Sequence, residues 1–155
     1  EWESSTAEVE AQGVRRVIIR TGVVLSKQGG ALNRLLLPYK LFLGGPLGNG
    51  RQVMSWIHIM DEVKAIRFLI ENEQTRGVYN LTAPNPVTNA EMGKQIGKNL
   101  HRPYYLPVPD FAMRMLFGEV SSVVLDGQRV LPKRLLQSGY VFKYPAVDMA
   151  LAEIL

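Results

Sequence analysis

The chain has 155 residues, of which 46% are hydrophobic, and a formal net charge of +4 at pH 7. This length and composition fit an ordinary globular domain with its own core. The absence of cysteine excludes disulfides and thiolate sites and favours a reducing compartment, so we expect the cytoplasm. Lys and Arg are scattered, and no apolar run approaches the roughly 20 residues of a membrane span. We therefore expect neither nucleic acid nor a membrane as partner.

The first third of the chain predicts a helix, a strand and a second helix. Residues 2–12 are polar and rich in Ala and Glu, which predicts a helix that Gly13 ends. The β-branched run at residues 17–20 is typical of a buried parallel strand. Residues 31–43 have helical spacing. The side chains that share one face of this helix are Leu32, Leu35, Leu36 and Tyr39.

The middle of the chain continues the alternation. Residues 52–57 are predicted to be extended, and Asp61 is a candidate N-cap for a helix. The apolar face of that helix is predicted to consist of Val63, Ile66, Leu69 and Ile70. Residues 78–81 predict a second buried strand, and Thr88 with Glu91 forms a capping box that opens a further helix with Met92, Ile96 and Leu100 on one face. Helices that alternate with strands indicate an α/β fold.

The tail has a different character. Three prolines make residues 102–109 the best candidate for a linker. Beyond it, residues 111–117, 120–128, 132–137 and 145–155 predict short helices, the last with a stripe of Val147, Leu151 and Ile154. We expect this segment to dock as a helical cap. The predicted units are residues 1–101, an α/β part, and residues 102–155, a C-terminal helical segment.

The most informative stretch is the glycine-dense loop at residues 44–50, which runs into the extended segment. Glycine lets a ligand approach the main chain, so the loop suits the shaping of a cleft. Phosphate binding and a plain loop both remain open for it. The phosphate-binding pattern G-x-G-x-x-G follows no strand anywhere in the chain, and no Tyr has a Lys four residues on, since Tyr140 and Lys143 are three apart.

Other chemistries are weakly supported. Ser55, His58 and Asp61 suggest a nucleophilic triad, but no G-x-S-x-G is present, and a strand end followed by a helix cap is the preferred interpretation. The two histidines, without cysteine or an H-x-x-x-H spacing, argue against a metal site. The simplest interpretation of Arg129, Lys133 and Arg134 is a solvated face.

Several short motifs follow one another along the chain, and their order and spacing together are informative. They are residues 20–25 (RTGVVL), 44–61, 80–89 (NLTAPNPVTN), 102–103, 107–109 and 139–142 (GYVF). Through them, residues 16–155 resemble the C-terminal half of extended short-chain dehydrogenase/reductase proteins. More narrowly, they resemble the atypical branch of epimerase-family proteins, whose members often carry the label "cell division inhibitor". The fold that this resemblance implies is the substrate-side half of a Rossmann-type fold, with a C-terminal helical cap.

The resemblance also implies a nucleotide cofactor, NADP or NAD, which lies mainly on the N-terminal half of such proteins. Thr21, Gly22 and Val23 are then expected near the nicotinamide end of the cofactor. The substrate-binding residues are expected to be Arg34, Gly48, Gly50, Arg51 and Gln52. Relatives that act on sugar nucleotides commonly have an Arg for the diphosphate where this chain has Met54, which favours a substrate without a diphosphate or a substitute in Arg34 or Arg51.

Two functions follow as hypotheses. The first is the substrate-binding half of an NAD(P)-dependent epimerase or oxidoreductase that acts on a sugar-nucleotide-like or related small molecule and is inactive by itself. The second is a non-catalytic binding or regulatory module that engages a protein partner. A parallel sheet cut through its middle would expose a strand edge, through which two copies of the chain are expected to associate as a homodimer.

Overall fold

A computed structural model describes residues 3–105 and 127–155. Helices and short strands alternate over the first range, and two further helices lie in the second. In chain order the elements are α1 (Glu8–Ala11), β1 (Val17–Thr21), β2 (Val23–Leu25), α2 (Ala31–Lys40), β3 (Val53–Met54), β4 (Trp56–His58), α3 (Ile59–Glu71), β5 (Gly77–Leu81), β6 (Val87–Thr88), α4 (Asn89–Leu100), α5 (Lys133–Gln137) and α6 (Val147–Ile154).

The strands pair mainly in parallel. β1 pairs with β5 from Val17 opposite Gly77 to Thr21 opposite Leu81, and β2 pairs with β4 in the same sense. The short antiparallel pair of β3 and β6 joins the loop that precedes β4 to the start of α4. Parallel strands connected through helices confirm the predicted α/β class.

The largest apolar cluster lies between α2, α4 and α6. Its helical contributions include the predicted stripe of α2, Met92 and Ile96 of α4, and the buried face of α6. The residues of α6 in this cluster are Val147, Ala150, Leu151 and Ile154. The predicted stripes of α2 and α6 are therefore confirmed, and so is the capping box of Thr88 and Glu91 at the start of α4. The last helix thus packs into the same core as the α/β part.

The predictions for α3 are partly wrong. Asp61 does not cap this helix, because α3 begins two residues earlier with His58 as N-cap, whose Nδ1 accepts a hydrogen bond from the Met60 N–H. The buried face includes Asp61, Glu62, Ala65 and Leu69. Val63 is 56% exposed and Ile70 is 65% exposed, since the segment at residues 140–144 covers the side of α3 that carries Asp61.

β1 is also more exposed than predicted. Its pattern predicts burial, but Ile19 is 42% exposed. β1 pairs with β5, and its opposite edge has no partner strand among the described residues. A shallow apolar groove beside it is lined by Val17, Ile19, Ile66 and Ile70. The first helix is shorter than predicted, since α1 covers Glu8–Ala11 only.

The predicted linker at residues 102–109 is described only up to residue 105. There it is packed rather than free: the Arg102 N–H donates to the Gly97 carbonyl, and the Tyr105 N–H donates to the Gly44 carbonyl. The predicted helix at residues 111–117 and most of that at 120–128 lie outside the described residues. The two later predicted helices, at residues 132–137 and 145–155, are confirmed by α5 and α6. Within the described ranges, no helix is long and apolar enough to cross a membrane.

Candidate functional site

A cavity of about 660 Å³ opens at the carboxyl ends of β1 and β5. We call it the strand-end cavity. Its lining residues are Arg20, Thr21, Gly22, Val23, Val53, Met54, Ser55, Asn80, Thr82, Gln128, Arg129, Val130, Leu131 and Lys133. In open sheets of parallel strands, ligands bind in the crevice at this end of the strands. The structure therefore brings the three predicted cofactor-contacting residues together in one concave wall.

Gly22 joins the two parallel pairs. Its N–H donates to the Leu81 carbonyl of β5, and the next residue, Val23, donates to the Ser55 carbonyl beside β4. A Cβ atom on Gly22 would lie 2.6 Å from the Ser55 carbonyl oxygen and 2.9 Å from Cγ2 of Thr82. The strand therefore crosses from one partner to the other at a point where only glycine fits.

The opposite wall of the cavity is formed by residues 128–131, which run alongside β3. Ser55 fixes this segment: its Oγ donates to the Gln128 carbonyl at 2.6 Å and accepts from the Val130 N–H at 2.8 Å. The Thr82 hydroxyl and the Asn80 amide donate to the carbonyls of Val130 and Leu131, each at 3.3 Å. Two strand ends and the tail of the chain thus assemble one pocket.

Ser55, His58 and Asp61 do not form a triad. Ser55 is engaged with the 128–131 segment, while Nε2 of the buried His58 lies 2.9 Å from Oε2 of Glu153 in α6. Asp61 is fully buried and serves the tail. Each of the three side chains binds a different part of residues 127–155, so their role is to attach that segment to the α/β part.

Two cations of the strand-end cavity carry no counter-charge within the described residues. Arg129 and Lys133 line the cavity, are exposed, and form no ion pair with another described residue. Arg20, also in the lining, is bound to Glu3 at 2.7 Å. The exposure of Arg129 and Lys133 agrees with the predicted solvated face. That this face borders the cavity could not be predicted, because no local pattern shows which residues a folded tail brings to a strand end.

Arg134 is exposed as well, as predicted, but its side chain is engaged with β5. Its guanidinium donates to the carbonyls of Val78 and Arg76 at 2.9 and 2.7 Å and lies over the Tyr79 ring. It therefore attaches α5 to β5. Consecutive basic residues in the sequence have thus separated into cavity-lining and structural positions.

The five predicted substrate-binding residues lie outside the lining of the strand-end cavity. Arg34 is exposed on α2, and Arg51 is exposed in the glycine loop. Gly48 and Gly50 have φ values of 55° and 70°, and a Cβ on Gly50 would lie 3.1 Å from the Cβ of Ala90. These glycines let the loop turn against the start of α4. The substrate role of these residues stays a prediction.

Two further polar or soft side chains border the glycine loop. Gln52 donates to the Leu47 carbonyl, and its Oε1 is buried with no partner in the described parts of the chain. Met54 is buried and accepts a weak hydrogen bond from Asn89. The Met54 position therefore belongs to the core as well as to the cavity wall, and its thioether brings no charge to the cavity.

A buried carboxyl group lies directly behind the cavity wall. Glu62, in the first turn of α3, accepts a hydrogen bond from the Thr21 hydroxyl with 2.9 Å between Oγ1 and Oε1. Burial raises the pKa of Glu62 above its ordinary value, and the Thr21 hydrogen bond only partly opposes this. No local signal marks Glu62 in the sequence, because its burial comes from the packing of α3 against β1.

Asp61 is the centre of a second polar cluster, remote from the cavity lining. Its Oδ1 accepts from the Lys143 N–H at 2.8 Å and from the Tyr140 hydroxyl at 3.1 Å, and its Oδ2 accepts from the Tyr144 N–H at 2.8 Å. Burial, and then the Asp61 charge, raise the pKa of Tyr140. Tyr140 and Lys143 thus serve the attachment of the tail. Over the described ranges, no group of His, Cys, Asp and Glu could hold a metal ion.

Comparison with known proteins agrees with this architecture. A family model described as a domain of unknown function (DUF1731) matches residues 108–154. The epimerase family protein YfhF of Bacillus subtilis is 44% identical over 154 residues, which are 99% of this chain and 50% of that protein. The chain spans about half the length of the curated relatives that it matches.

Solved structures give the same result. The human epimerase family protein SDR39U1, solved with NADPH, superposes with a TM-score of 0.85 at 40% identity over 91% of this chain and 48% of that one. A nucleoside-diphosphate sugar epimerase from Corynebacterium glutamicum superposes with a TM-score of 0.76 at 33% identity, over 99% of this chain and 29% of that one. Over nearly its whole length, the chain is therefore similar to the C-terminal half of the epimerase-family proteins.

Proposed function

We propose that the chain is the substrate side of an NAD(P)-dependent epimerase or oxidoreductase whose substrate is sugar-nucleotide-like or a related small anion. The observation that carries this proposal is the strand-end cavity, which lies where parallel sheets bind ligands and has in its lining two cations that form no ion pair with another described residue. Residues 3–105 supply the strand ends, and residues 127–155 include the segment that forms the opposite wall. By itself, without the N-terminal half, the chain has no epimerase or oxidoreductase activity in this proposal.

NADPH fits the wall formed by Thr21, Gly22 and Val23. Gly22 has no side chain to obstruct a ligand, and Thr21 presents a hydroxyl at the end of β1, where a carboxamide could be bound. When bound, the nicotinamide supplies hydride chemistry. The chain's own residues orient that ring and exclude water from one side, while the rest of the cofactor belongs to the N-terminal half of the protein.

Arg129 and Lys133 are suited to the anionic part of the substrate. Arg offers a planar fork of N–H donors for a phosphate or carboxylate, and Lys adds a point charge. Both project from the tail segment and belong to the lining. Since Met54 cannot bind a phosphate and Arg34 and Arg51 lie elsewhere, we assign the substrate's negative charge to the tail. Gly48, Gly50 and Gln52 keep only an indirect role, through the loop that supports β3.

The uncovered edge of β1 completes this proposal. Beside this edge lies the apolar groove of Val17, Ile19, Ile66 and Ile70. A strand with one unpaired edge can be stabilised by a further strand that pairs with it. We assign the edge to the N-terminal half of the same protein. In the isolated chain, a second copy would bind there as a homodimer.

The test is ligand binding by the full-length protein. NADPH fluorescence and a thermal-shift panel of UDP- and dTDP-sugars are measured for the native protein and for Arg129→Gln with Lys133→Gln. We expect native NADPH binding, and a loss of substrate-induced stabilisation in the double variant. Lys40→Gln with Lys98→Gln, on exposed helical positions, is the matched control and should behave as the native protein.

The alternative is a binding or regulatory module that acts on a protein partner, as the label carried by some relatives suggests. Absence of NADPH binding by the full-length protein would favour it. Unchanged substrate stabilisation in the Arg129 and Lys133 variant would instead contradict the assignment of the anion to the tail.

A further inference from the structure

The buried carboxyl group of Glu62 has an unusual hydrogen-bonding state. Glu62 is only 7% exposed, and its Oε1 lies 2.9 Å from Oγ1 of Thr21. Its other oxygen, Oε2, is buried and has no hydrogen-bond partner among the described residues. An ionised carboxylate has about four acceptor sites to satisfy, so burial with one hydrogen bond is unfavourable for the charged form.

The surroundings of Glu62 supply no positive charge to compensate. No ion pair links it to a Lys or Arg among residues 3–105 and 127–155. On its own helix, the preceding residue is Asp61, whose oxygens accept two backbone N–H groups and a hydroxyl, as a carboxylate does. From the tail, the Tyr140 hydroxyl lies close enough for a charge on Glu62 to affect its titration.

The start of α3 would favour a negative charge through the helix dipole. Burial is nevertheless the largest influence and raises the pKa of Glu62, which the Thr21 hydrogen bond only partly opposes. Desolvation and the unpartnered Oε2 both favour the neutral carboxylic acid.

The protonation state of Glu62 decides what Thr21 offers to the strand-end cavity. A hydroxyl has a single proton. If Glu62 is ionised, Thr21 must give that proton to Oε1 and can only accept from a ligand. If Glu62 is neutral, its own proton can lie on Oε1 and be donated to Thr21 Oγ1, which leaves the Thr21 proton free to point into the cavity that Thr21 lines.

We propose that Glu62 is a positioning residue that keeps Thr21 as a hydrogen-bond donor toward a carbonyl or carboxamide oxygen of a ligand in the strand-end cavity. This proposal rests on the proposed function, because it requires that the cavity bind a ligand. Glu62 itself does not line the cavity and acts only through the Thr21 hydroxyl.

The experiment is the pH dependence of NADPH affinity in the full-length protein. As the pH rises through the pKa of Glu62, Thr21 loses its donor role, and the native affinity should fall about threefold to tenfold, the effect of one hydrogen bond. Glu62→Gln stays neutral and can still donate, so its affinity should remain high and this pH step should vanish. Glu71→Gln, at an exposed site of the same helix, is the control and should keep the native profile.

Thr21 variants separate this role from a structural one. Thr21→Val removes the donor and should bind NADPH weakly at every pH, while Thr21→Ser should restore the native profile. Infrared difference spectra between native protein and Glu62→Gln should show the carbonyl band of a protonated carboxylic acid at a pH above the ordinary pKa of a glutamate side chain. Absence of that band overturns the proposal whatever the binding data show.

The outcomes also distinguish the two proposals. NADPH binding with the same pH profile in native protein and Glu62→Gln overturns the role of Glu62 and leaves the proposed function intact. Absence of NADPH binding at every pH overturns the proposed function and, with it, any role of Glu62 toward this ligand.

Discussion

Replacement of Asp61 by Asn tests whether a buried carboxylate attaches the tail to the α/β part. Asp61 is fully buried, and the N–H groups of Lys143 and Tyr144 each donate to one of its oxygens at 2.8 Å. Asn keeps the size of Asp but has one oxygen. Whichever way the amide is turned, its NH2 group faces the backbone N–H of Lys143 or of Tyr144. The two donors that then face each other without an acceptor are this backbone N–H and the NH2 group itself.

Each buried donor that loses its acceptor costs about 1–3 kcal/mol. The free energy of unfolding should therefore fall by about 2–6 kcal/mol in Asp61→Asn. With a urea dependence of roughly 2–3 kcal/mol per molar, the unfolding midpoint of the cooperative unit that contains the tail should fall by about 1–3 M. Urea titration of the full-length protein, followed by circular dichroism and by amide exchange of Tyr144, measures this change.

The matched control is Asp148→Asn, the same chemical change at an exposed position in the first turn of α6. There the loss of a favourable helix-dipole interaction should cost no more than about 1 kcal/mol. If Asp61→Asn is no more destabilising than Asp148→Asn, then the Asp61 cluster does not hold the tail, and the attachment rests on the apolar face of α6 and on the contacts of Ser55, His58 and Arg134.

The remaining predictions concern the strand-end cavity, Glu62 and the binding of NADPH by the isolated chain. Gly22→Ala should lower the unfolding free energy by roughly 1–3 kcal/mol, because its Cβ would lie 2.6 Å from the Ser55 carbonyl oxygen; an unchanged urea midpoint would refute the close approach. The pKa of Glu62 is raised in the folded state. The stability that depends on a neutral Glu62 is therefore fully present below the pKa that this group has in the unfolded state, and it is lost as the pH rises through the pKa of the folded state. Glu62→Gln should therefore exceed the native protein in stability at pH 8 and match it near pH 4, and urea midpoints that differ equally at both pH values would contradict this. The isolated chain should have no appreciable NADPH affinity, and a micromolar Kd by calorimetry would disprove that expectation.

Local sequence rules succeeded where the interaction partners are neighbours in the chain. Thr88 and Glu91 are three residues apart, so the capping box could be predicted from their identities alone. The stripe of α2 follows from helical spacing, and residues 17–20 and 78–81 have the composition of parallel strands. The same rules failed for Asp61, which has the identity of an N-cap but accepts hydrogen bonds from residues about 80 positions away.

The sequence by itself determined the α/β class, most helix faces and, through its ordered motifs, the family resemblance. The tertiary structure alone decided which residues surround the strand-end cavity. Arg129 and Lys133 reach it because Ser55 holds the tail beside β3, and Glu62 is buried because α3 packs behind Thr21. Such positions depend on contacts between segments far apart in the chain, and neither spacing nor composition encodes which distant segments will meet.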